Sequence, residues 1–92
     1  MSIALGQVVI SRAGRDTGKK FVVVRVIDNL FVEVSDGDLR RVEKPKKKKI
    51  KHLKTTDDKV ESLEEKLKSG IRITNVELRK ALAGLVIHQN DK

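Results

Sequence analysis

The chain has 92 residues, with 21 Lys/Arg against 13 Asp/Glu and a formal net charge of +8, which bounds it to one compact domain able to fold without staples. It has no cysteine, so disulfides, cysteine-ligated metals and cysteine nucleophiles are excluded. The start MSIALGQVV lacks the basic and long apolar regions of a secretory signal, and a run such as Phe21–Val24 is far too short to span a bilayer. The expectation is a soluble, cytoplasmic protein.

Along the chain, Gly6–Ser11 reads as a short strand. After a loop, Lys20–Asp28 alternates Val22, Val24 and Val26 against Phe21, Val23, Arg25 and Ile27. Asp28-Asn29 reads as a two-residue hairpin link into Leu30–Ser35. Asp36-Gly37 is a turn signal, Leu39–Val42 reads as a fourth strand, and Ile50–Leu53 offers a fifth. Pro45 cannot donate to a ladder and marks a break. Four or five short strands predict a mainly β fold, a small closed barrel that hides its edges.

The second half changes period. Asp57-Asp58 reads as the cap of a helix to Ser69, with Val60, Leu63 and Leu67 as its apolar stripe and Gly70 as its stop. Thr74-Asn-Val-Glu77 reads as a capping box opening a second helix with the face Leu78, Leu82 and Leu85. Gly84 weakens the end of that helix, and 88–92 are expected to fray. The division expected is 1–54 for the barrel, with its basic run at 44–54, and 55–92 for a helical extension.

Charge is unevenly placed. Residues 1–43 carry net +1 (seven basic, six acidic), 55–92 carry zero (seven of each), and KPKKKKIKHLK over 44–54 carries +7. A basic run this concentrated points to a polyanion partner, against the plainer reading of a solvated lysine tail.

The loop SRAGRDTGKKF, residues 11–21, holds two glycines and four basic side chains. A P-loop needs one more residue between its glycines, a hydroxyl after the lysine and a following helix; here Lys20 and a strand take those places. A bare corner would explain Gly14 and Gly18 but not Arg12, Arg15, Lys19 and Lys20. Amides and cations grouped in this way suit phosphate oxygens, so the glycines shape the loop and the bases use it.

The segment Gly6–Asp28, with AGRDTGKK leading into VVVRVID, resembles a KOW motif. With Asn29–Val34 and Leu39–Val42 it resembles the large-subunit ribosomal protein fourteen-e family of archaea and eukaryotes, over residues 4–54. The resemblance implies an SH3-like barrel that binds ribosomal RNA through Arg12, Gly14, Arg15, Gly18, Lys19 and Lys20. Arg40 and Arg41 extend that patch, as do Lys44, Lys46, Lys47, Lys48, Lys49, Lys51 and His52 from the basic run.

Phe21 and Phe31 are the only aromatics, and both fall in strand patterns expected to bury them. Binding through phosphates and sugars of a folded RNA follows, rather than base stacking on aromatic platforms. No catalytic or metal spacing involves His52 or His88, so no enzyme, cofactor, metal or small-molecule substrate is expected. Two alternatives compete. PKKKKIK resembles a nuclear import signal, and the stripe Val60, Leu63 and Leu67 offers a docking face for ribosomal or transcription proteins. Membrane association lacks an acyl site or an apolar face.

Overall fold

The structure, a computed structural model, describes the backbone of residues 3–90 and the side chains of residues 3–84. Five strands form one antiparallel sheet: β1 (Gln7–Ser11), β2 (Lys20–Val26), β3 (Phe31–Ser35), β4 (Lys46–Lys49) and β5 (Leu53–Lys59), in the order β4-β3-β2-β1-β5. Two helices follow, α1 (Glu61–Lys68) and α2 (Asn75–Asn90). The protein is mainly β, as expected. β4 and β5 are the two ends of the sheet and are joined by a 3-10 turn, Ile50–His52, so the ladder does not close through hydrogen bonds between them.

Alternation along the strands builds two apolar layers. Val9, Phe21, Val23, Val32, Val34 and Leu53 point to one face and pack with Ile3 and Ile50. Val8 and Val22 point to the other, where Leu63, Ile73, Leu78 and Leu82 cover them. The α1 stripe takes the core packing that is the more frequent fate of such stripes, not the rival docking role: Leu63 is buried, and Val60 and Leu67 pack against the same cluster. Burying several such side chains, at about 1.5–3 kcal/mol each, fixes the helices on the sheet.

The strand expected at Leu39–Val42 is instead a bend held by short-range bonds. The Asp36 carboxylate accepts the N–H groups of Asp38 and Arg40 at 2.9 and 2.8 Å, which curls the chain away from any ladder. The fourth strand is the lysine run itself, with Lys46 opposite Val34 and Lys49 opposite Phe31. Ile50–His52 is a turn rather than a strand, and β5 begins at Leu53. The link after β2 also differs from expectation. It spans residues 27–30, and Asp28 Oδ1 caps it by accepting from the N–H groups of Leu30 and Phe31 at 2.8 and 2.9 Å.

Asp57-Asp58 do not cap a helix. They extend β5, where Lys59 stands opposite Gln7 and Thr55 opposite Val9. Thr56 Oγ1 donates to the Val8 carbonyl at 2.7 Å, a second tie across the same ladder. The β-branched pair Thr55-Thr56 favours this extended backbone, and the boundary expected after residue 54 falls inside β5. α1 starts only at Glu61 and has no side-chain cap. Its end is as expected: the N–H of Gly70 bonds the Leu67 carbonyl and that of Ile71 the Lys66 carbonyl, closing the last turn.

The capping box at α2 forms, with the Glu77 N–H donating to Thr74 Oγ1 at 3.1 Å. The helix runs on through Gly84 to Asn90, including residues 88–90 that were expected to fray. The Leu85 side chain, the His88 side chain and residues 91–92 lie outside the described part. Asn75 ties this helix to the segment between β3 and β4. Its Oδ1 accepts the Val42 N–H at 2.8 Å, and its Nδ2 donates to both oxygens of Glu43 at 2.9 Å.

Candidate nucleic-acid interface

The loop between β1 and β2 folds back as a narrow hairpin. The Ser11 N–H bonds the Lys19 carbonyl at 3.0 Å and the Gly18 N–H bonds the Ser11 carbonyl at 2.8 Å. A 3-10 turn, Gly14–Asp16, forms the tip, and Thr17 Oγ1 donates to the Gly14 carbonyl at 2.6 Å. Gly14 and Gly18 have φ of +77° and +85°, and nothing lies within 4 Å of where a side chain would begin at either. The space above both glycines is open to a ligand.

Asp16, the one acidic residue of this loop, is its anchor. It is only 4% exposed, and its Oδ2 accepts from Arg40 Nε and Nη2 at 3.1 and 3.0 Å. Lys48 Nζ lies 3.4 Å from the same oxygen, with its side chain 12% exposed. Burial alone would raise the Asp16 carboxyl. The hydrogen bonds and charge of Arg40, and then of Lys48, outweigh burial and hold it below the ordinary carboxylate range. One buried carboxylate thus joins the β1–β2 loop, the bend after β3 and the strand β4. The Arg12 N–H adds a fourth partner by bonding the His52 carbonyl at 2.8 Å.

The residues singled out from the sequence divide in three. Arg12, Arg15 and Lys19 are exposed around the anchored loop, and among the described residues none of them has an acidic partner within ion-pair distance. Lys20 is half-buried at the start of β2. Arg40 and Lys48 face inward onto Asp16, and Arg41 pairs loosely with Glu43 at 3.4 Å on the surface. Lys44, Lys46, Lys47, Lys49 and Lys51 are exposed along and beside β4, and His52 is half-buried.

The aromatics also part company. Phe21 is buried in the core, whereas Phe31 is only half-buried and carries Lys47 Nζ 4.4 Å over its ring. Phe31 alternates with the buried Val32 and Val34 and so lies on the opposite side of β3 from that core. Sequence reasoning missed both Asp16 and Asn75. The signal for Asp16 was a single acid among four bases, which calls for a partner outside the loop.

Compared with curated proteins, the chain is 34% identical over 85 residues to large ribosomal subunit protein eL14 of Methanococcus vannielii, covering 92% of this chain and 97% of that protein. It is 32% identical over 90 residues to eL14 of Pyrobaculum arsenaticum, covering 98% of this chain and 82% of that protein. The same identity and length hold for eL14 of Metallosphaera sedula, of which 88% is covered. No family model matches.

The chain belongs to the eL14 family of large ribosomal subunit proteins. That family is structural and non-enzymatic, and the chain is not an enzyme. The resemblance read from residues 4–54 extends further than expected, since matches covering 98% of the chain take in the helices as well. The eL14 likeness therefore includes the layer that Leu78 packs on the sheet and Asn75 ties to the β3–β4 connection. Among the described residues no helix is long and apolar enough to cross a membrane, and no group of His, Cys, Asp and Glu has the placement of a metal site.

Proposed function

We propose that this chain is an RNA-binding structural component of the large ribosomal subunit in the cytoplasm. Its five-stranded sheet acts as an SH3-like KOW barrel, and it grips folded ribosomal RNA through the β1–β2 loop. Arg12, Arg15 and Lys19 take phosphates, and the exposed lysines of β4 and the following turn add a more diffuse attraction. The observation that carries this reading is the anchoring of a cationic loop by one buried acid. Because Asp16 is satisfied from inside by Arg40 and Lys48, the loop keeps its shape without drawing on the cations at its surface. Preorganisation of this kind lowers the entropy lost when a ligand orders the loop. Docking of a protein through the α1 stripe has no support, because that stripe is core.

The test is ultraviolet crosslinking in cells followed by sequencing of the attached RNA, with an Arg15→Ala, Lys19→Ala variant in parallel. A sharp peak on large-subunit ribosomal RNA, lost in the variant, is the expected result. Reads scattered in proportion to RNA abundance and unchanged in the variant would overturn the reading.

A further inference from the structure

Beside the anchored loop lies a shallow cleft of about 430 Å³, lined among others by Gly18, Lys19, Asp36, Asp38, Arg79 and Leu82. It is built where the β1–β2 loop, the bend after β3 and α2 meet. Arg79 on α2 is fixed there by donating from Nη1 to the Gly37 carbonyl at 2.7 Å.

The lining does not match a surface made only for phosphate. A carboxylate repels a phosphate oxygen and accepts hydrogen bonds without donating any. Asp36 has a structural task, since its Oδ1 already accepts two backbone N–H groups. Asp38 has none: it is exposed, and among the described residues its side chain has no hydrogen bond or ion pair. Around it are Lys19, a cation with no acidic partner among the described residues, Arg79, a planar guanidinium with donors to spare, and the edge of Leu82. Gly18 opposite lacks a side chain and leaves its space open. A phosphate for the lysine, a flat face for the guanidinium and leucine, and a pair of donors for the carboxylate describe one nucleotide with its base turned outward.

We propose that this cleft holds a single unpaired nucleotide of the bound RNA, and that Asp38 selects guanine. This rests on the RNA-binding reading above and adds a base-reading subsite to it. Guanine alone among the four bases presents two adjacent donors, N1–H and the N2 amino group, that match the two oxygens of one carboxylate. Adenine and cytosine offer one amino group beside an acceptor nitrogen, and uracil one N–H between two carbonyls. RNA is commonly read in this way, through unstacked bases in loops and bulges. A good bidentate contact of this kind discriminates by roughly fivefold or more.

The full chain, labelled with nitrogen-15, is titrated with each of the four ribonucleoside 5′-monophosphates and with inorganic phosphate, and amide shifts are followed by NMR. Guanosine monophosphate should move Gly18, Lys19, Asp38, Arg79 and Leu82 together, about fivefold more tightly than the other three. Phosphate should move Lys19 without Asp38 and Leu82. Asp38→Asn replaces one acceptor oxygen by a donor amide and should remove the guanine preference while leaving the phosphate response intact. Four nucleotides behaving alike, or a preference that survives Asp38→Asn, would overturn the proposal. The crosslinking experiment separates the two ideas: ribosomal RNA captured by a protein that shows no base preference leaves the RNA reading standing and removes the subsite.

Discussion

Gly18 and Gly37 have nearly the same backbone angle, φ of +85° and +80°, and opposite surroundings. Around Gly18 there is open space; against Gly37 the N-terminal turn of α2 is packed so closely that a side chain would run into the Asn75 carbonyl and the Leu78 Cβ. One glycine leaves room for something outside the molecule, and the other makes room for the molecule itself. The charged groups repeat the contrast. Around Gly18 stand Arg12, Arg15 and Lys19, with no acidic partner among the described residues, while beside Gly37 two polar side chains bond the fold itself, Asn75 on Val42 and Glu43 and Arg79 on the Gly37 carbonyl. The helical layer is finished as a structure, and the loop is finished only as a shape.

The sharpest way to break this contrast is to add a methyl group at each glycine. Gly37→Ala combines the unfavourable φ with a backbone collision and should cost about 3 kcal/mol or more, lowering Tm by roughly 10–20 °C in a domain of this size. Gly18→Ala meets only the φ cost of about 1–2 kcal/mol. Equal losses in thermal unfolding would show that the α2 contact carries no special load.

Next in size is the Arg15→Ala, Lys19→Ala pair, measured as RNA affinity against salt. Two phosphate contacts should weaken binding by about 2 kcal/mol, some thirtyfold, and reduce the salt slope by about two units. The unfolding free energy should stay within about 0.5 kcal/mol of the parent, as for exposed substitutions in general.

Asp16→Asn sets charge against positioning. It makes the protein more positive by one charge, so simple attraction to RNA predicts tighter binding. Loss of the anchor for Arg40 and Lys48 predicts weaker binding, on the order of tenfold, and that is the expected outcome. The same carboxylate gives an acid limb to stability. Its folded value lies below the ordinary 3.8, so its contribution is fully present above that value and disappears as pH falls through the lowered one. Glu43, held low chiefly by Asn75, and Glu77, held low chiefly by Lys66, act in the same direction. A denaturation series from pH 6 down to 2 should therefore lose stability below about pH 4, with a smaller loss in Asp16→Asn.

The smallest effect belongs to Lys66→Ala. It removes the 2.7 Å pair with Glu77 that joins α1 to α2. Both side chains are partly solvated, so thermal unfolding should shift less than in either glycine variant above, and RNA binding should not change.

The first three strands were legible because their valines alternate and two sides of the sheet need covering. The lysine run was not, since four identical cations carry no alternation and lysine is a poor strand former. Its strand is imposed by β3, whose backbone supplies the partner groups. Leu39–Val42 has the apolar content of a strand but loses to the turn chemistry of Asp36. At Asp57-Asp58 a local helix signal was overruled by pairing with β1, a tertiary effect that no window of residues displays. In the candidate interface the exposed cations could be read directly from composition. Which cations are turned inward could not, because Asp16 and Lys48 are 32 residues apart and meet only in the fold.

β4 has one further consequence. A strand at the end of the hydrogen-bonded order presents unmatched N–H and C=O groups, to which a second copy of the same strand could add itself and seed a growing stack. Here that strand is Lys46–Lys49, and with Lys48 turned in onto Asp16 any copy arriving alongside would bring three exposed positive charges against three. The strand edge is thus guarded against its own kind by charge, and on the proposed function RNA bound along it would lift that guard by neutralising the lysines.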